Sequence, residues 1–385
     1  MNHLLLRTSA IGFGLAMGLA TVPSTAAFAA PTTSVACGDT AALIAAVNAL
    51  NGPGGTIELA ANCTYAFSTQ NDSTGAALPP ITGKITITGH DSALVRSTDI
   101  PSNLFRILQV TSTGDLTLHG VEVTGGASGI GGGIFNSGKL TLDKSAVTHN
   151  EASGGGGGIF SNSGTVTIRR SSVSDNVSGD EGGGIDSIGP AALTVTGSRI
   201  ESNQAVTDGG GIESQGPLSV ENSVFAHNSA RDGSGGGLFY LGLPKATLKD
   251  TDFIDNFAGV NGGGINNEPK DRPIEITGGE IRDNTAGRDG GGLNNAGIAT
   301  LTKVKVKANS SGRDGGGINN QTVTGESAVA TLTLDHSTVT ENTAARDGGG
   351  INNQTGSTVT LNDSRVIRNT PNNCTPLNSI AGCQN

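Results

Sequence analysis

Short runs of alternating apolar and polar residues fill most of this chain, and they recur at a fixed period. Glycine triplets mark the period, since nine of them precede one apolar residue: Ile134, Ile159, Ile185, Ile212, Leu238, Ile265, Leu293, Ile318 and Ile351. The steps are 25 to 28 residues, apart from a last step of 33. A second landmark is an asparagine that ends motifs such as VTHN and FIDN: Asn150, Asn176, Asn203, Asn228, Asn256, Asn284, Asn309, Asn342 and Asn369. Two landmarks with one period exclude a low-complexity glycine linker.

The segments between these landmarks have the period-two pattern of β-strands. LTLDKS, VTIRRS, LTVTGS and LTLDHS are examples. Each unit is therefore predicted to contain three short strands: GGGI-x-x, LTLxxS and VxxN. Such strands pair best with the same strand of the next unit, about 4.8 Å away. The sequence predicts an all-β, right-handed, single-stranded parallel β-helix (a solenoid) of about 12 coils, since parallel crossovers are right-handed.

Glycine and asparagine are expected at the corners of each coil. Glycine tolerates positive φ where neighbouring coils approach closely. Asparagine adopts the left-handed conformation more easily than most residues, and stacked amides can hydrogen-bond along the axis. Coil length varies just before LTLxxS, and the longest insertion, QTVTGESAVA, follows Asn320. Variable loops on one edge are where solenoids usually carry specificity.

The two ends of the solenoid need caps. GDTAALIAAVNALNG predicts an N-terminal cap helix that starts at Asp39 or Thr40 and has an apolar stripe. We therefore divide the chain into a signal peptide (1–29), a cap helix with irregular first coils (30–126), regular repeats (127–370) and a C-terminal tail (371–385). Of three possible pairings of four cysteines, Cys37–Cys63 and Cys374–Cys383 is the most economical, and the tail is then closed by a disulfide.

The first 29 residues have the composition of an export signal. Arg7 precedes an apolar stretch that ends at Ala27-Phe28-Ala29, which fits an A-x-A cleavage pattern. No later run is apolar enough to span a bilayer. A lipoprotein-type reading of SVAC at Cys37 is the weaker alternative, because the usual leucine is missing. We expect a secreted, extracellular protein, and the formal net charge of −10 argues against nucleic acid or acidic membranes as partners.

Both the repeat and the N-terminal segment resemble known families. GGGI with VxxN or FxxN resembles the GGA[ILV]/FxxN repeats of polymorphic outer membrane proteins. CGDT with the cap helix and GGTIEL is similar to secreted bacterial right-handed β-helix proteins of the pectate-lyase-like superfamily. The resemblance covers residues 36 to 385 and implies the fold. It leaves function open among polysaccharide lyases, glycoside hydrolases, adhesins and uncharacterised secreted proteins.

Candidate chemistry lies in the residue that follows the apolar position after each triplet, because alternate strand residues face opposite sides. That column reads Phe135, Phe160, Asp186, Glu213, Phe239, Asn266, Asn294, Asn319 and Asn352. Adjacent coils would hold Asp186 and Glu213 roughly 5 Å apart, near the separation of a retaining glycosidase pair. Two carboxylates at this separation repel each other, so their pKa values move apart and the pair can supply an acid and a base.

Further residues complete this hypothetical site. Asp208 is a third catalytic candidate, and Glu181, Phe160, Phe239 and Tyr240 are candidates for ligand binding. The four acidic residues would supply enough oxygens for Ca²⁺, although the sequence departs from the calcium-binding nonapeptide; no other cofactor or metal is expected. The simpler interpretation is that acidic residues solvate an exposed face and that the phenylalanines pack under a loop.

The other repeated patterns do not indicate a second catalytic site. RDGGG occurs at Arg288-Asp289, Arg313-Asp314 and Arg346-Asp347, which favours a charge ladder along the axis. A threonine column (Thr141, Thr167, Thr194, Thr247) suggests ice binding, but it is narrow and interrupted by Ser219 and Glu275. Arg169 and Arg170 belong to a different face from Asp186, and the histidines form no ligand set.

Two functions therefore compete. The first is a non-enzymatic, adhesion-like β-helix that binds an extracellular polysaccharide or cell-surface component. The second is a polysaccharide lyase or glycoside hydrolase that uses Asp186 and Glu213. The Asn-Thr-Asp, Asp-Asp and Gly-His-Gly set of polygalacturonase-like hydrolases is missing from the sequence, as are G-x-S-x-G and a phosphate loop.

Overall fold

The protein is a right-handed parallel β-solenoid of about 12 turns, as the repeat predicts. Its described residues contain one short helix, which precedes the regular coils. The computed structural model describes residues 30–71, 74–97, 103–268, 273–322 and 329–385. The predicted signal peptide (1–29) and most of the insertion after Asn320 lie outside these residues. The described strands form three sheets, and every pairing between them is parallel.

The largest sheet, here the wide sheet, has 23 described strands. It contains the LTLxxS and VxxN segments together with the irregular first coils. Its strands are Thr32–Val35, Gly55–Leu59, Thr64–Phe67, Lys84–Arg96, Asp115–Thr124, Lys139–Asp143, Ala146–Thr148, Thr165–Arg169, Ser172–Ser174, Leu193–Thr196, Arg199–Glu201, Leu218–Glu221, Val224–Ala226, Ala246–Lys249, Asp252–Ile254, Pro273–Thr277, Glu280–Arg282, Ile298–Thr302, Lys305–Lys307, Thr331–Asp335, Thr338–Thr340, Thr358–Asn362 and Arg365–Ile367.

The second sheet, here the triplet sheet, contains the strands that follow the glycine triplets and runs from Leu108 to Thr375. Its described strands are Leu108–Val110, Ile134–Asn136, Ile159–Asn162, Ile185–Ile188, Ile212–Ser214, Leu238–Tyr240, Ile265–Asn267, Leu293–Asn295, Ile318–Asn320, Ile351–Asn353 and Cys374–Thr375. The apolar residue after each triplet is fully buried in the core, as expected.

A third, narrow sheet was not predicted. Its described strands have two residues each and start directly after the corner residue: Ala127–Ser128, Glu151–Ala152, Val177–Ser178, Gln204–Ala205, Ser229–Ala230, Phe257–Ala258, Thr285–Ala286, Ser310–Ser311 and Thr343–Ala344. A regular coil thus has four strands instead of three. Two residues are too few to show an alternating pattern, so the sequence gives no period-two signal there.

The asparagine corner forms a continuous hydrogen-bonded ladder. Asn203 is fully buried; its Nδ2 donates to Asn228 Oδ1 at 3.0 Å and to the Val173 carbonyl at 2.9 Å. Its Oδ1 in turn accepts hydrogen bonds from the backbone N–H and the Nδ2 of Asn176. The left-handed conformation expected of the asparagine belongs to the residue before it, for example Ser202 with φ of 57°. The asparagine therefore contributes its amide to the corner, and its neighbour makes the turn.

The glycine corner is dictated by space as well as by conformation. Gly182 has φ of 60°, and a Cβ on Gly183 would lie 2.3 Å from the Gly210 carbonyl oxygen of the next coil. Side chains are excluded because successive backbones stack directly at this corner.

A serine corner, which the sequence analysis missed, joins the two halves of the wide sheet. The backbone N–H groups of Ser145, Ser171 and Ser198 each donate to the serine Oγ of the following coil at 3.0–3.2 Å. The serine of LTLxxS is its sequence signal.

Both ends agree with the predicted caps. Helix α1 (Thr40–Leu50) begins after Asp39, whose Oδ1 accepts a hydrogen bond from the Ala42 N–H at 2.8 Å. Its residues Leu43, Val47 and Leu50 are buried. The disulfides are Cys37–Cys63 and Cys374–Cys383, as predicted.

We predict that Asn203→Ala lowers the free energy of unfolding by about 3 kcal/mol or more, because it leaves buried groups of two coils without partners at about 1–3 kcal/mol each. The measurement is the denaturation midpoint in urea. Asn162→Ala, at an exposed position, is the matched control and should change little. Equal midpoints for the two variants would contradict the ladder.

Candidate functional site

The column proposed from the sequence forms one file of side chains on the outer side of the triplet sheet, here the outer file. Its members are Phe135, Phe160, Asp186, Glu213, Phe239, Asn266, Asn294, Asn319 and Asn352, and each pairs in register with the next. The register places Asp186 beside Glu213, as the repeat spacing predicts.

The two carboxyl groups face away from the core and are nevertheless enclosed. Asp186 and Glu213 are each only 2% exposed, and Phe160 and Phe239 on either side are each 8% exposed. The triplet turn causes this burial, because it folds back over the strand that follows it. A Cβ on Gly155 would lie 2.2 Å from Asp186 Oδ2, so this carboxyl packs directly against glycine backbone.

Hydrogen bonds compensate only in part for the burial of these two carboxyl groups. Asp186 Oδ1 and Glu213 Oε2 are buried and receive no hydrogen bond from a described residue, while Glu213 Oε1 receives one from Gln215 Nε2 at 3.5 Å. Burial is the main cause that raises the pKa of Asp186 to about 7, and the negative charges of Glu181 and Asp180 add to it. Burial is also the main cause that raises the pKa of Glu213 to about 9, and the negative charges of Asp186 and Glu181 add to it. At neutral pH the pair therefore holds at least one proton.

Glu181 and Asp208 lie on the partly exposed rim of this acidic region. Burial and the charges of Asp180 and Asp208 raise the pKa of Glu181. Burial also raises the pKa of Asp208, although a 2.6 Å hydrogen bond from the Ser234 N–H to Asp208 Oδ1 opposes the shift. Asp208 thereby supports the backbone of the next coil, a role that the sequence did not indicate.

Tyr240 does not join this group. It follows Phe239 directly in the strand, so its side chain points to the opposite side of the sheet and is fully buried in the core. Tyr240 was predicted to bind ligand beside Phe239, and this prediction is wrong because its side chain lies in the core.

Beyond Phe239 the outer file consists of amides. The Nδ2 atoms of Asn294, Asn319 and Asn352 each donate to the Oδ1 of the preceding coil's asparagine at 2.7–2.8 Å. All donors point the same way, so the Oδ1 of Asn352 is the terminal acceptor and receives no hydrogen bond from a described residue.

The RDGGG pattern forms the expected charge ladder beside this amide ladder. Arg313 binds Asp289 with both Nε and Nη2 (Nη2 to Oδ2, 2.8 Å), and Arg346 binds Asp314 in the same manner. Asp347 is the next acidic member and is exposed. Within the described ranges, no cation forms an ion pair with it.

The two ladders end at one depression of about 540 Å³, here the terminal groove. Polar planar groups and the first tail residues line it: Asp314, Thr322, Arg346, Asp347, Asn352, Asn353, Gln354, Thr355, Thr375 and Pro376. This groove was not predicted from the sequence, because it depends on where both ladders stop and on how the tail folds back. The missing arginine before the last coil, where Pro371 follows Thr370, was the only available signal.

The other predicted faces lie elsewhere. The threonine column is on the wide sheet and is longer than expected, with Thr56, Thr86 and Thr117 before it and Thr300, Thr333 and Thr360 after it. Arg170 binds Asp143 at 2.6 Å on that sheet, away from Asp186.

Among the described residues, no set of three or more His, Cys, Asp or Glu is arranged to bind a metal ion. This statement covers the candidate calcium ligands Glu181, Asp186, Asp208 and Glu213. No described helix has the length and apolar composition needed to cross a membrane.

Comparison with known proteins supports the architecture. Residues 81–225 match a family model described as a right-handed β-helix region. This span includes Asp186 and Glu213 and ends before the terminal groove. No curated protein and no solved structure shows a significant match to the chain.

The carboxyl pair predicts a pH dependence of stability. The pKa values of Asp186 and Glu213 are raised from 3.8 and 4.5 to about 7 and about 9, so folding takes up protons. The contribution of these two groups to the free energy of unfolding is then fully present below pH 4 to 5. It is lost as pH rises towards 9, with a slope of up to about 1.4 kcal/mol per pH unit per proton. Denaturation midpoints at pH 5, 7 and 9 measure it.

The isosteric variant Asp186→Asn/Glu213→Gln is the control. It should flatten the decline and be more stable than wild type at pH 9. A wild-type protein whose stability rises between pH 5 and 9 in parallel with the variant would show that the pair is ionised in the native state.

Proposed function

We propose that this protein is an extracellular carbohydrate-binding β-helix of the adhesion type, and that it binds glycan in the terminal groove. One observation carries the proposal: the amide ladder and the charge ladder both end in that groove with acceptors that no described residue satisfies. Asn352 Oδ1 and the Asp347 carboxylate are these acceptors, and the Arg346 guanidinium lies beside them.

Sugar hydroxyl groups match such a lining. Each hydroxyl donates and accepts, so it pairs with amide oxygens, carboxylates and guanidinium N–H groups. The groove volume of about 540 Å³ is within the usual range for ligand sites. Pro376 and the methyl groups of Thr355 and Thr375 offer apolar contact to the face of a sugar ring.

The remaining features are compatible with this role. Two disulfides fit a non-reducing compartment outside the cytoplasm, and the acidic formal charge of −10 disfavours nucleic acid. The expected partner is a polysaccharide or a glycosylated component of a cell surface.

We predict that Asp347→Ala/Gln354→Ala weakens glycan binding at least tenfold, because each lost hydrogen bond is worth about 0.5–1.5 kcal/mol and a charged one more. The variant and wild type are compared by calorimetry with neutral glucan, N-acetylglucosamine and uronate oligosaccharides. Both positions lie at the surface, so the fold should persist.

Asp363→Ala/Gln204→Ala is the matched control, since it removes the same two residue types from exposed positions outside the groove. It should bind like wild type. Equal affinity of the two variants, or no binding of any glycan by wild type, would refute the proposal.

A second candidate is a polysaccharide lyase or glycoside hydrolase acting through Asp186 and Glu213. Adjacent carboxyl groups with raised pKa values are the observation that favours it. Their enclosure by the triplet turns weighs against it, because substrate would have to displace those turns to reach either group.

We predict that wild type and Asp186→Asn/Glu213→Gln produce equally little product from uronate and neutral polysaccharides. The readouts are absorbance of an unsaturated product for a lyase and new reducing ends for a hydrolase. Turnover by wild type that the double variant abolishes would establish the enzyme instead.

A further inference from the structure

We propose that the terminal groove selects glycans that carry an N-acetylamino group, because the amide of such a sugar continues the ladder of asparagine amides that ends there. This inference rests on the proposed carbohydrate binding and names the class of ligand for the same groove. The sugars concerned are N-acetylhexosamines, whose acetylamino group is a secondary amide.

The direction of the amide ladder in the outer file is fixed at its start. Asn266 Nδ2 donates to the Glu268 carboxylate at 2.8 Å, and an ionised carboxylate can only accept. Asn266 therefore turns its Oδ1 towards the next coil, where this oxygen accepts from Asn294 Nδ2. The same direction passes through Asn319 to Asn352, so the last amide leaves an oxygen, and not an N–H group, for a further partner.

The last oxygen of the ladder belongs to an enclosed side chain that nevertheless reaches the groove. Asn352 is only 6% exposed, and it lines the terminal groove. Its Nδ2 is held by Asn319 Oδ1 at 2.7 Å, which fixes the orientation of the amide. Hydrogen-bonded chains of amides polarise one another, so the terminal oxygen is a stronger acceptor than that of an isolated asparagine.

Thr375 occupies the next position of the outer file. The strand Cys374–Thr375 pairs in parallel with Ile351 and Asn352, so Thr375 stands where a further asparagine would continue the ladder. Its side chain is shorter and carries no amide, and among the described residues no hydrogen bond joins it to Asn352. The groove therefore offers a ligand amide the space that the next asparagine amide would fill.

The neighbouring file of amides gives the groove a donor as well. Asn295 Nδ2 donates to Asn320 Oδ1, and Asn320 Nδ2 donates to Asn353 Oδ1, so this inner ladder runs in the opposite direction. Asn353 Nδ2 donates to the Ser357 carbonyl, and its second N–H has no described acceptor. Asn353 also lines the groove, which thus offers one acceptor and one donor, and a secondary amide has one of each.

An acetylamino group fits this lining better than the other common sugar substituents. Its N–H donates to Asn352 Oδ1 as each asparagine of the file donates to the one before it, and its methyl group can contact Pro376 in the groove. A hydroxyl group supplies a donor but neither the methyl contact nor an amide dipole that extends the chain. A uronate is repelled by the exposed Asp347 carboxylate, which also lines the groove.

The test is calorimetry with three oligosaccharides of equal length and linkage, built from N-acetylglucosamine, glucose or glucosamine. Wild type should bind the acetylated oligomer at least tenfold more tightly than the glucose oligomer, because it gains a hydrogen bond and a buried methyl group. The glucosamine oligomer has a charge but no amide and should bind more weakly than the acetylated one. Added salt should leave the preference for the acetylated oligomer over glucose unchanged, since the amide contact is uncharged.

Thr375→Asn should abolish the preference, because the new amide donates to Asn352 Oδ1 and closes the ladder within the protein. Thr285→Asn makes the same exchange at an exposed strand position outside the groove and should keep the preference. Asp347→Ala/Gln354→Ala should weaken both the acetylated and the glucose oligomer and keep the ratio of their affinities.

Equal affinity of wild type for the acetylated and glucose oligomers overturns this inference and leaves the terminal-groove proposal intact, and this comparison needs no variant. Tighter binding of the glucosamine oligomer than of the acetylated one also overturns it, because charge would then decide. A folded Thr375→Asn variant that keeps the preference overturns the assignment to Asn352. If wild type binds no glycan at all, uronates included, both proposals fail together.

Discussion

The structure depends on one constraint: each residue must be able to stack on its own equivalent about 4.8 Å away. Asparagine meets this constraint fully, because an amide donates to one neighbour and accepts from the other. The buried chain from Asn150 to Asn369 is therefore both a corner and an axial hydrogen-bonded column. The serine corner and the outer amides repeat the same solution, so three separate ladders hold the coils in register.

Charged residues cannot stack in this way, and the chain shows three ways around the problem. Arginine binds the aspartate of the preceding coil, as Arg313 does with Asp289. Asp208 uses its charge on a backbone N–H of the next coil. Asp186 and Glu213 have neither solution, so they retain protons instead. Asp347, where the charge ladder ends, lines the groove for which we propose a function.

The fold could be predicted from the sequence because, in a solenoid, the repeat period determines which residues of neighbouring coils pair. Knowing the spacing from Ile185 to Ile212 is enough to place Asp186 beside Glu213. It was insufficient where structure depends on something other than period. The narrow sheet is too short to alternate, and the burial of Asp186 results from the fold of the glycine turn above it. The terminal groove requires the tail, which has no repeat to read.

The most direct test of glycan binding in the terminal groove is hydrogen exchange of the wild-type protein with and without a saturating glycan, measured by mass spectrometry. Such binding predicts slower exchange in peptides that cover residues 343–357 and 371–377, with no change along the threonine column of the wide sheet. Protection confined to the wide sheet, or none in the last coil and tail, would contradict it.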